Sequence, residues 1–142
     1  MPCAWWEQET AAEAPRRTKP RRWRGKFREA FRGVKLGVRG HSSFSVHFFF
    51  TALVVAAAAV LRCGLVQWCL LIGCVGLVLT AELFNSAVET LFRGLDEETR
   101  ERTWPCLDIA AGAVLLASIT ASLVGALVFL YQLGVRLDLV KP

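Results

Sequence analysis

Three long apolar segments constrain the fold of this chain more than any other feature of its sequence. They cover residues 44–61, 65–84 and 109–133 of a 142-residue chain that is 54% apolar. A bilayer's hydrocarbon core is about 30 Å thick, and about 20 apolar residues in a helix cross it. Because backbone polar groups in lipid must bond within their own segment, such segments form helices. The sequence therefore predicts an all-α integral membrane protein with three transmembrane helices.

Positive charge is concentrated ahead of the first apolar segment. Of the 17 Lys and Arg residues, 11 lie between Arg16 and Arg39. Basic residues beside a span mark its cytoplasmic side, so we expect a cytoplasmic amino terminus and residues 135–142 on the opposite side. The same charges suit anionic lipid headgroups, whereas nucleic acid is a less favoured partner because the cluster adjoins a membrane span. The 5 cysteines include no CxxC pair, which argues against a disulfide framework or a zinc site.

Two different segments precede the first span. Residues 1–24 combine prolines with dense like charge, and we predict a disordered cytoplasmic tail there. Residues 26–39 alternate apolar and basic positions with helical spacing, which predicts an amphipathic helix lying in the membrane interface. Gly33 and Gly37 leave small sites on this surface helix where another helix or a ligand can approach closely.

The turn after the first span is very short, so the second span must run antiparallel beside the first. No turn residue follows residue 84, and we predict that this helix continues to about residue 92. Residues 93–108 are polar, and we predict that they form a cytoplasmic loop with room for a short helix. The third span, 109–133, is rich in small residues that allow membrane helices to pack closely.

Polar residues interrupt the end of the second helix in a regular pattern. Glu82 and Glu89 are seven residues apart, and Asn85 lies between them, so all three share one side of the helix. Charged groups near a bilayer usually face a protein interior or a polar cavity. The alternative is a solvated helix end just beyond the membrane.

The polar stripe formed by Glu82, Asn85 and Glu89 has side chains that suit phosphoryl transfer. The predicted orientation brings Asp108 and the basic surface helix to the same membrane face as the two carboxylates. Carboxylates bind Mg²⁺ together with substrate phosphates, and a carboxylate at an apolar boundary suits general-base work. Basic side chains neutralise phosphate charge. No Walker A or protein-kinase glycine loop occurs, so any nucleotide site is unorthodox. A small channel or transporter subunit is a competing interpretation, based on the carboxylates alone.

Three stretches of the chain carry a resemblance to a known family. The octet from Glu82 to Glu89, Glu-Leu-Phe-Asn-Ser-Ala-Val-Glu, is similar to the signature of the small prokaryotic diacylglycerol kinases, a family that includes undecaprenol kinases. The stretch from Phe27 to Lys35 resembles the family's surface helix, and the stretch from Asp108 to Val114 resembles the start of its third span. The resemblance covers about residues 22–132.

The resemblance implies a fold and an activity. Residues 25–134 would form the kinase domain of a homotrimer in the bacterial inner membrane, with composite active sites at the cytoplasmic interface. The reaction would be MgATP-dependent phosphorylation of a lipid alcohol. Diacylglycerol, giving phosphatidic acid for phospholipid biosynthesis, is the expected substrate, and undecaprenol is the alternative.

The resemblance also implies roles for individual residues. Glu82 would be the general base, Glu89 would hold Mg²⁺, Asn85 would orient the site and Asp108 would contact the nucleotide. Further support around the nucleotide is expected from these residues: Glu98, Arg100, Arg22 and Lys35.

Three positions depart from the family's pattern. His41 stands where members usually carry a second Mg²⁺-binding Glu. Its neutral imidazole can bind metal and is the second candidate metal ligand beside Glu89, although it suits Mg²⁺ less well than a carboxylate does. Leu107 replaces a Lys that usually precedes the nucleotide-contacting Asp, and Arg93 replaces an Asp. The basic side chain of Arg93, Lys35 or Arg100 is a candidate for the missing positive charge. The departures leave open a catalytically impaired relative that acts as a membrane interaction module.

Overall fold

The computed structural model describes residues 23–40 and 43–140, and within these ranges the regular structure is entirely helical. The chain divides after Gly33 into two compact units, and the second holds everything from Val34 onward. The five helices are listed here in chain order: α1 Trp23–Gly40, α2 Ser43–Val60, α3 Leu65–Arg93, α4 Glu97–Thr103 and α5 Pro105–Arg136.

The predicted helices begin and end somewhat differently in the structure. Helix α1 begins at Trp23, three residues before the predicted surface helix, so the end of the predicted 1–24 tail is helical. Its first turn is stabilised by the Lys26 ammonium, which lies 5.1 Å from the centre of the Trp23 ring. The remainder of that tail lies outside the described residues. The polar segment 93–108 contains α4, and Asp108 belongs to the first turn of α5 rather than to a loop.

Helices α3 and α5 form the main pair of the second unit. Their 29 and 32 residues make each helix roughly 45 Å long, which exceeds a hydrocarbon core of about 30 Å. Both are long and apolar enough to cross a membrane by themselves, and a third span is counted only if α1 and α2 are taken together. Helix α3 continues without a break to Arg93, as the missing turn residues predicted. Its last turns therefore extend past the apolar segment.

The apolar core lies toward the turn between α2 and α3. Ala58, Cys63, Leu71 and Val128 are its buried members. Arg62 adopts a left-handed backbone conformation with φ 54°, which reverses the chain within a few residues. This short reversal holds α2 against α3, and both pack on α5.

Hydrogen bonds join the three long helices at the same end. We call this region the turn end, and it comprises residues 60–68 and 132–136. Gln132 accepts a hydrogen bond from the Gln67 amide at 2.9 Å and donates to the Leu61 carbonyl at 3.1 Å. Arg136 donates to the carbonyls of Leu61 and Val60, both at 3.2 Å. The carbonyls of Val60, the last residue of α2, and of Leu61 are thus satisfied by α5, whereas the three carbonyls before them accept backbone N–H groups of the turn.

Candidate functional site

Glu82 is a buried carboxylic acid on α3. Only 3% of the residue is exposed, and His47 of α2 supplies the ring nitrogen nearest to it, with Nε2 at 3.7 Å from Glu82 Oε2. A buried ionisable group is costly unless it is paired or hydrogen-bonded. In the described part of the chain, His47 is the polar partner available to this carboxylate. Two helices therefore build the centre of the site.

The second carboxylate of the predicted stripe has a different environment. Glu89 Oε1 accepts a hydrogen bond from the Asn85 amide at 2.9 Å, and Oε2 lies 3.2 Å from the Arg93 guanidinium. The Glu89 side chain is 34% exposed, and Arg93 is 65% exposed. Asn85 and Glu89 are therefore brought together as the spacing predicted. Glu82 points toward α2, whereas Glu89 is accessible from solvent.

Ser86 lies one turn beyond Glu82 on the same face of α3. It is 2% exposed, and its hydroxyl oxygen has no hydrogen-bond partner among the described residues. A buried hydroxyl without a partner destabilises a protein by about 1–3 kcal/mol, so such groups are rare and often belong to sites that bind a ligand. The buried face of α3 thus carries two polar groups with incomplete partners.

An apolar cleft lies beside the contact between His47 and Glu82. It lies between α2, α3 and α5 and has a volume of about 460 Å³. Leu71, Val75 and Leu79 line it from α3, and Glu82 follows on the same face less than one turn after Leu79. His47 lines the cleft from α2. Small residues such as Ser122 and Gly125 line it from α5, and their short side chains leave the cleft open on that side. The cleft is large enough for hydrocarbon, and its lining residue His47 contacts Glu82, which is not itself part of the lining.

The end of α1 that belongs to the second unit closes on the site. A side chain at Gly37 would overlap the Cδ1 atom of Leu83, the residue next to Glu82. This contact confirms that Gly37 permits a close approach. Gly33, the other glycine predicted to do so, has open space around it among the described atoms.

The residues at the end of α3 fit a divalent cation that arrives with phosphate. No group of three or more His, Cys, Asp or Glu is arranged as a metal site within the described ranges. Mg²⁺, however, usually binds through one or two carboxylates plus substrate phosphates. The Arg93–Glu89 pair is a surface pair between residues i and i+4, worth about 0.3–0.5 kcal/mol, so a cation can displace it. The Glu89 carboxylate and the side-chain carbonyl oxygen of Asn85 are the ligands that would hold this ion.

Other predicted site residues lie elsewhere. Glu98 pairs with Arg102 at 2.7 Å on exposed α4. Arg100 donates from Nε to the Phe92 carbonyl at 3.3 Å and from Nη2 to the Arg93 carbonyl at 2.5 Å, so it caps α3. Two further residues are exposed, without a described contact to Glu82 or Glu89: Lys35 on α1 and Asp108 on α5. Arg22 and His41 lie outside the described residues.

His47 is the site residue that the sequence analysis did not single out. The distances of His47 and Glu82 from the turn are a sequence signal that could have identified this contact. In two antiparallel helices joined by a short turn, residues at similar distances from the turn lie opposite each other. His47 is 16 residues before Cys63, and Glu82 is 19 after it, a difference of less than one helical turn.

Comparison with known proteins agrees with the geometry. The family model for prokaryotic diacylglycerol kinase matches residues 28–129, which is most of the chain and contains α2 to α4 entirely. The chain belongs to the prokaryotic diacylglycerol kinase family. A diacylglycerol kinase of Synechocystis sp. is 33% identical over 105 residues, which cover 73% of this chain and 60% of that relative. The matched region therefore spans less than two thirds of the relative's length. No solved structure matches the chain.

Membership in the diacylglycerol kinase family gives context to the site. The buried Glu82, its partner His47 and the Asn85–Glu89 pair all fall inside the matched segment, as does Asp108. Arg22, predicted to support the nucleotide, precedes that segment. The roles assigned to individual residues remain predictions that the family match does not test.

Proposed function

We propose that this protein is a membrane lipid kinase that transfers the γ-phosphoryl group of ATP to a lipid alcohol, with diacylglycerol as the substrate. The observation that carries the proposal is the position of Glu82. It is a carboxylate, 3% exposed, in contact with His47, which lines an apolar cleft between three helices. This arrangement suits a substrate whose reacting hydroxyl is attached to hydrocarbon.

In the proposed reaction Glu82 is the general base. As the hydroxyl oxygen of the lipid bonds to the γ-phosphorus, the hydroxyl O–H bond breaks and its proton passes to the Glu82 carboxylate. The bond between the γ-phosphorus and the bridging oxygen breaks, and ADP leaves with that electron pair. Catalysis of this kind depends mainly on positioning and electrostatic stabilisation. The buried Ser86 hydroxyl, which lacks a partner, is available to hydrogen-bond an oxygen of the lipid headgroup.

The nucleotide binds beyond Glu82 in this proposal, at the solvent-accessible end of α3. Glu89 and Asn85 would hold the Mg²⁺ that accompanies ATP, and this ion would neutralise phosphate charge. Arg93, once released from Glu89, would supply positive charge to the phosphates in place of the family's usual Lys, which is Leu107 here. Asp108 is assigned to the nucleotide as well.

The assembly and the membrane orientation are part of the same proposal. We infer a homotrimer in the bacterial inner membrane with the amino terminus in the cytoplasm. The basic cluster before the first span supports this orientation. Apolar side chains such as Phe49 and Leu127, which are 66% and 69% exposed, suit contact with lipid or neighbouring subunits. Light scattering of the detergent-solubilised protein measures the subunit number, and a monodisperse monomer would contradict the trimer.

Turnover of ATP with two lipids tests the proposed activity. The purified protein is incubated with Mg²⁺ and γ-labelled ATP, and with diacylglycerol or undecaprenol. We expect labelled phosphatidic acid, and loss of at least about 100-fold of the rate in Glu82→Gln, since general-base catalysis contributes at least that much. Glu101→Gln, an exposed carboxylate on α4, is the matched control and should retain the rate.

The reactions with diacylglycerol and with undecaprenol distinguish the two substrates and the catalytically impaired alternative. Labelled undecaprenyl phosphate without phosphatidic acid would replace the substrate and keep the reaction type. The absence of a labelled product from either lipid, with folded protein, would favour the catalytically impaired relative. Full activity of Glu82→Gln would overturn the assignment of the base.

A further inference from the structure

His47 is the feature of the site to which no role has been assigned. It lies near the start of α2, and its Nε2 atom faces Glu82 Oε2 across the helix–helix contact at 3.7 Å. The two side chains are 19% and 4% exposed, so the contact lies almost entirely out of water. The flanking residues Val46 and Phe48 are apolar and more exposed, whereas the imidazole of His47 faces α3.

The backbone of His47 is held in place by its surroundings. Phe44, less than one turn earlier, is 3% exposed and fixes the start of α2 in the protein interior. One turn later, the Thr51 hydroxyl donates to the His47 carbonyl at 2.8 Å. Movement of the imidazole is therefore restricted to its side-chain torsions, and a small rotation is sufficient to change its distance from Glu82.

A carboxylate that acts as a base needs a defined orientation. One oxygen must face the substrate hydroxyl, and a hydrogen bond to the other oxygen prevents rotation of the group. The distance of 3.7 Å is longer than an N–H···O hydrogen bond, which measures about 2.7–3.2 Å. Catalytic hydrogen bonds are often long before substrate binds and shorten in the complex. His47 needs to approach by only about 0.5–1 Å to donate to Glu82 Oε2.

We propose that His47 is a positioning residue that holds one oxygen of Glu82 so that the other faces the lipid hydroxyl. This inference rests on the proposed kinase function. His47 does not contact the phosphoryl group and accepts no proton from the substrate. Its contribution is to the geometry of the base, and a misplacement of about 1 Å at a reacting group can lower the rate roughly 100-fold.

Three variants separate positioning from simple packing. His47→Leu keeps most of the side-chain volume without a hydrogen-bond donor, whereas His47→Gln keeps an N–H donor. His47→Ala leaves space that free imidazole can enter. Ser45→Ala, on an exposed position of the same helix, is the matched control. Each variant is compared with the wild-type protein for kcat and for the KM of ATP and of diacylglycerol.

The positioning role predicts a distinct kinetic pattern. We expect kcat to fall roughly 10- to 100-fold in His47→Leu while the KM for ATP stays within about twofold. His47→Gln and the addition of imidazole to His47→Ala should each restore part of kcat. Equal impairment of His47→Leu and His47→Gln, or a full rate in His47→Leu, would overturn the proposal.

A spectroscopic measurement tests the contact without relying on turnover. The chain has 2 histidines, so a nitrogen-15 spectrum of histidine-labelled protein is readily assigned with His47→Gln. We expect the ring nitrogen shifts of His47 to change in Glu82→Gln and to stay unchanged in Glu101→Gln. Unchanged shifts in Glu82→Gln would overturn the contact even if the variants fold poorly or kinase activity is absent.

The outcomes also separate this inference from the proposed function. If Glu82→Gln loses activity while His47→Leu retains it, the kinase function stands and only the role of His47 fails. If wild-type protein phosphorylates no lipid but the His47 shifts respond to Glu82→Gln, the contact stands and the proposed reaction fails.

Discussion

The two ends of the helix bundle differ in how completely their polar groups are paired. At the turn end, Gln67 donates to Gln132, and Gln132 and Arg136 donate to the carbonyls of Val60 and Leu61 where α2 ends. At the other end, which we call the carboxylate end (residues 44–51 and 79–93), His47 and Glu82 are too far apart for a hydrogen bond, and the Ser86 hydroxyl lacks a partner among the described residues.

The difference indicates where stability and function are located in this chain. Fully paired polar groups and a buried apolar cluster stabilise the turn end and fix the register of α2 on α3. Partly satisfied polar groups destabilise the carboxylate end, and such strain is commonly found where a ligand completes the site. We therefore expect substitutions at the two ends to affect different measurements.

Glu89→Gln should give the largest effect, because it removes a charge that would hold Mg²⁺ at the carboxylate end. We expect a loss of roughly 100-fold or more in turnover at fixed Mg²⁺, with partial recovery as Mg²⁺ is raised. Titration of Mg²⁺ against the initial rate measures this. Glu97→Gln, an exposed residue of α4, serves as the control, and equal Mg²⁺ dependence in both variants would contradict a metal role for Glu89.

Leu71→Ala should give the largest loss of stability, because Leu71 belongs to the buried cluster beside the turn end and is 3% exposed. Removing its side-chain methyl groups leaves a cavity, and we expect the free energy of unfolding to fall by roughly 2 kcal/mol. Unfolding in mixed micelles, followed by circular dichroism, measures the change. Leu70→Ala, next in sequence and 48% exposed, should change it little; an equal loss in both would contradict the packing account.

Gln132→Leu tests the hydrogen bonds of the turn end. The change keeps side-chain size, removes the link to Gln67 and leaves the Leu61 carbonyl with one fewer donor. Since interhelical hydrogen bonds in membranes contribute about 0.6–2 kcal/mol, we expect a loss of roughly 1 kcal/mol in unfolding free energy. The same unfolding assay measures it, beside Tyr131→Phe as the neighbouring control. Unchanged stability would show that these bonds do not hold the turn end.

The smallest effect is expected at Asp96, outside both ends. The Thr99 hydroxyl, and then the Thr99 backbone N–H, hold the pKa of Asp96 below its ordinary value of 3.8. A carboxylate with a lowered pKa in the folded state stabilises it above the unfolded pKa, and this contribution disappears as the pH falls through the folded value. The difference in Tm between wild type and Asp96→Ala should therefore shrink below about pH 4. A constant difference down to pH 2 would contradict this.

Much of the fold follows from the sequence because it depends on local patterns. The uninterrupted helix from residue 65 to residue 93 follows from an apolar run without turn residues, and Asn85 and Glu89 meet because they are four residues apart. A close approach at Gly37 also follows from the sequence, although the structure alone identifies Leu83 as the contact.

The parts that sequence reasoning did not provide depend on tertiary packing. The contact between His47 and Glu82 is set by the register of α2 on α3, which the turn at Arg62 and the core determine together. The guanidinium of Arg100 caps α3 because the chain folds back through α4, and its role at the nucleotide stays a prediction. Charge and spacing alone do not distinguish a basic residue that binds phosphate from one that caps a helix.

The most direct test of the account measures turnover and stability on the same two variants, Glu82→Gln and Gln132→Leu. We expect Glu82→Gln to lose at least about 100-fold in lipid phosphorylation while its unfolding free energy stays near the wild-type value or rises. Gln132→Leu should lose roughly 1 kcal/mol of stability and retain its kcat. The account would be contradicted if Glu82→Gln kept its turnover, or if Gln132→Leu lost kcat as steeply as Glu82→Gln did.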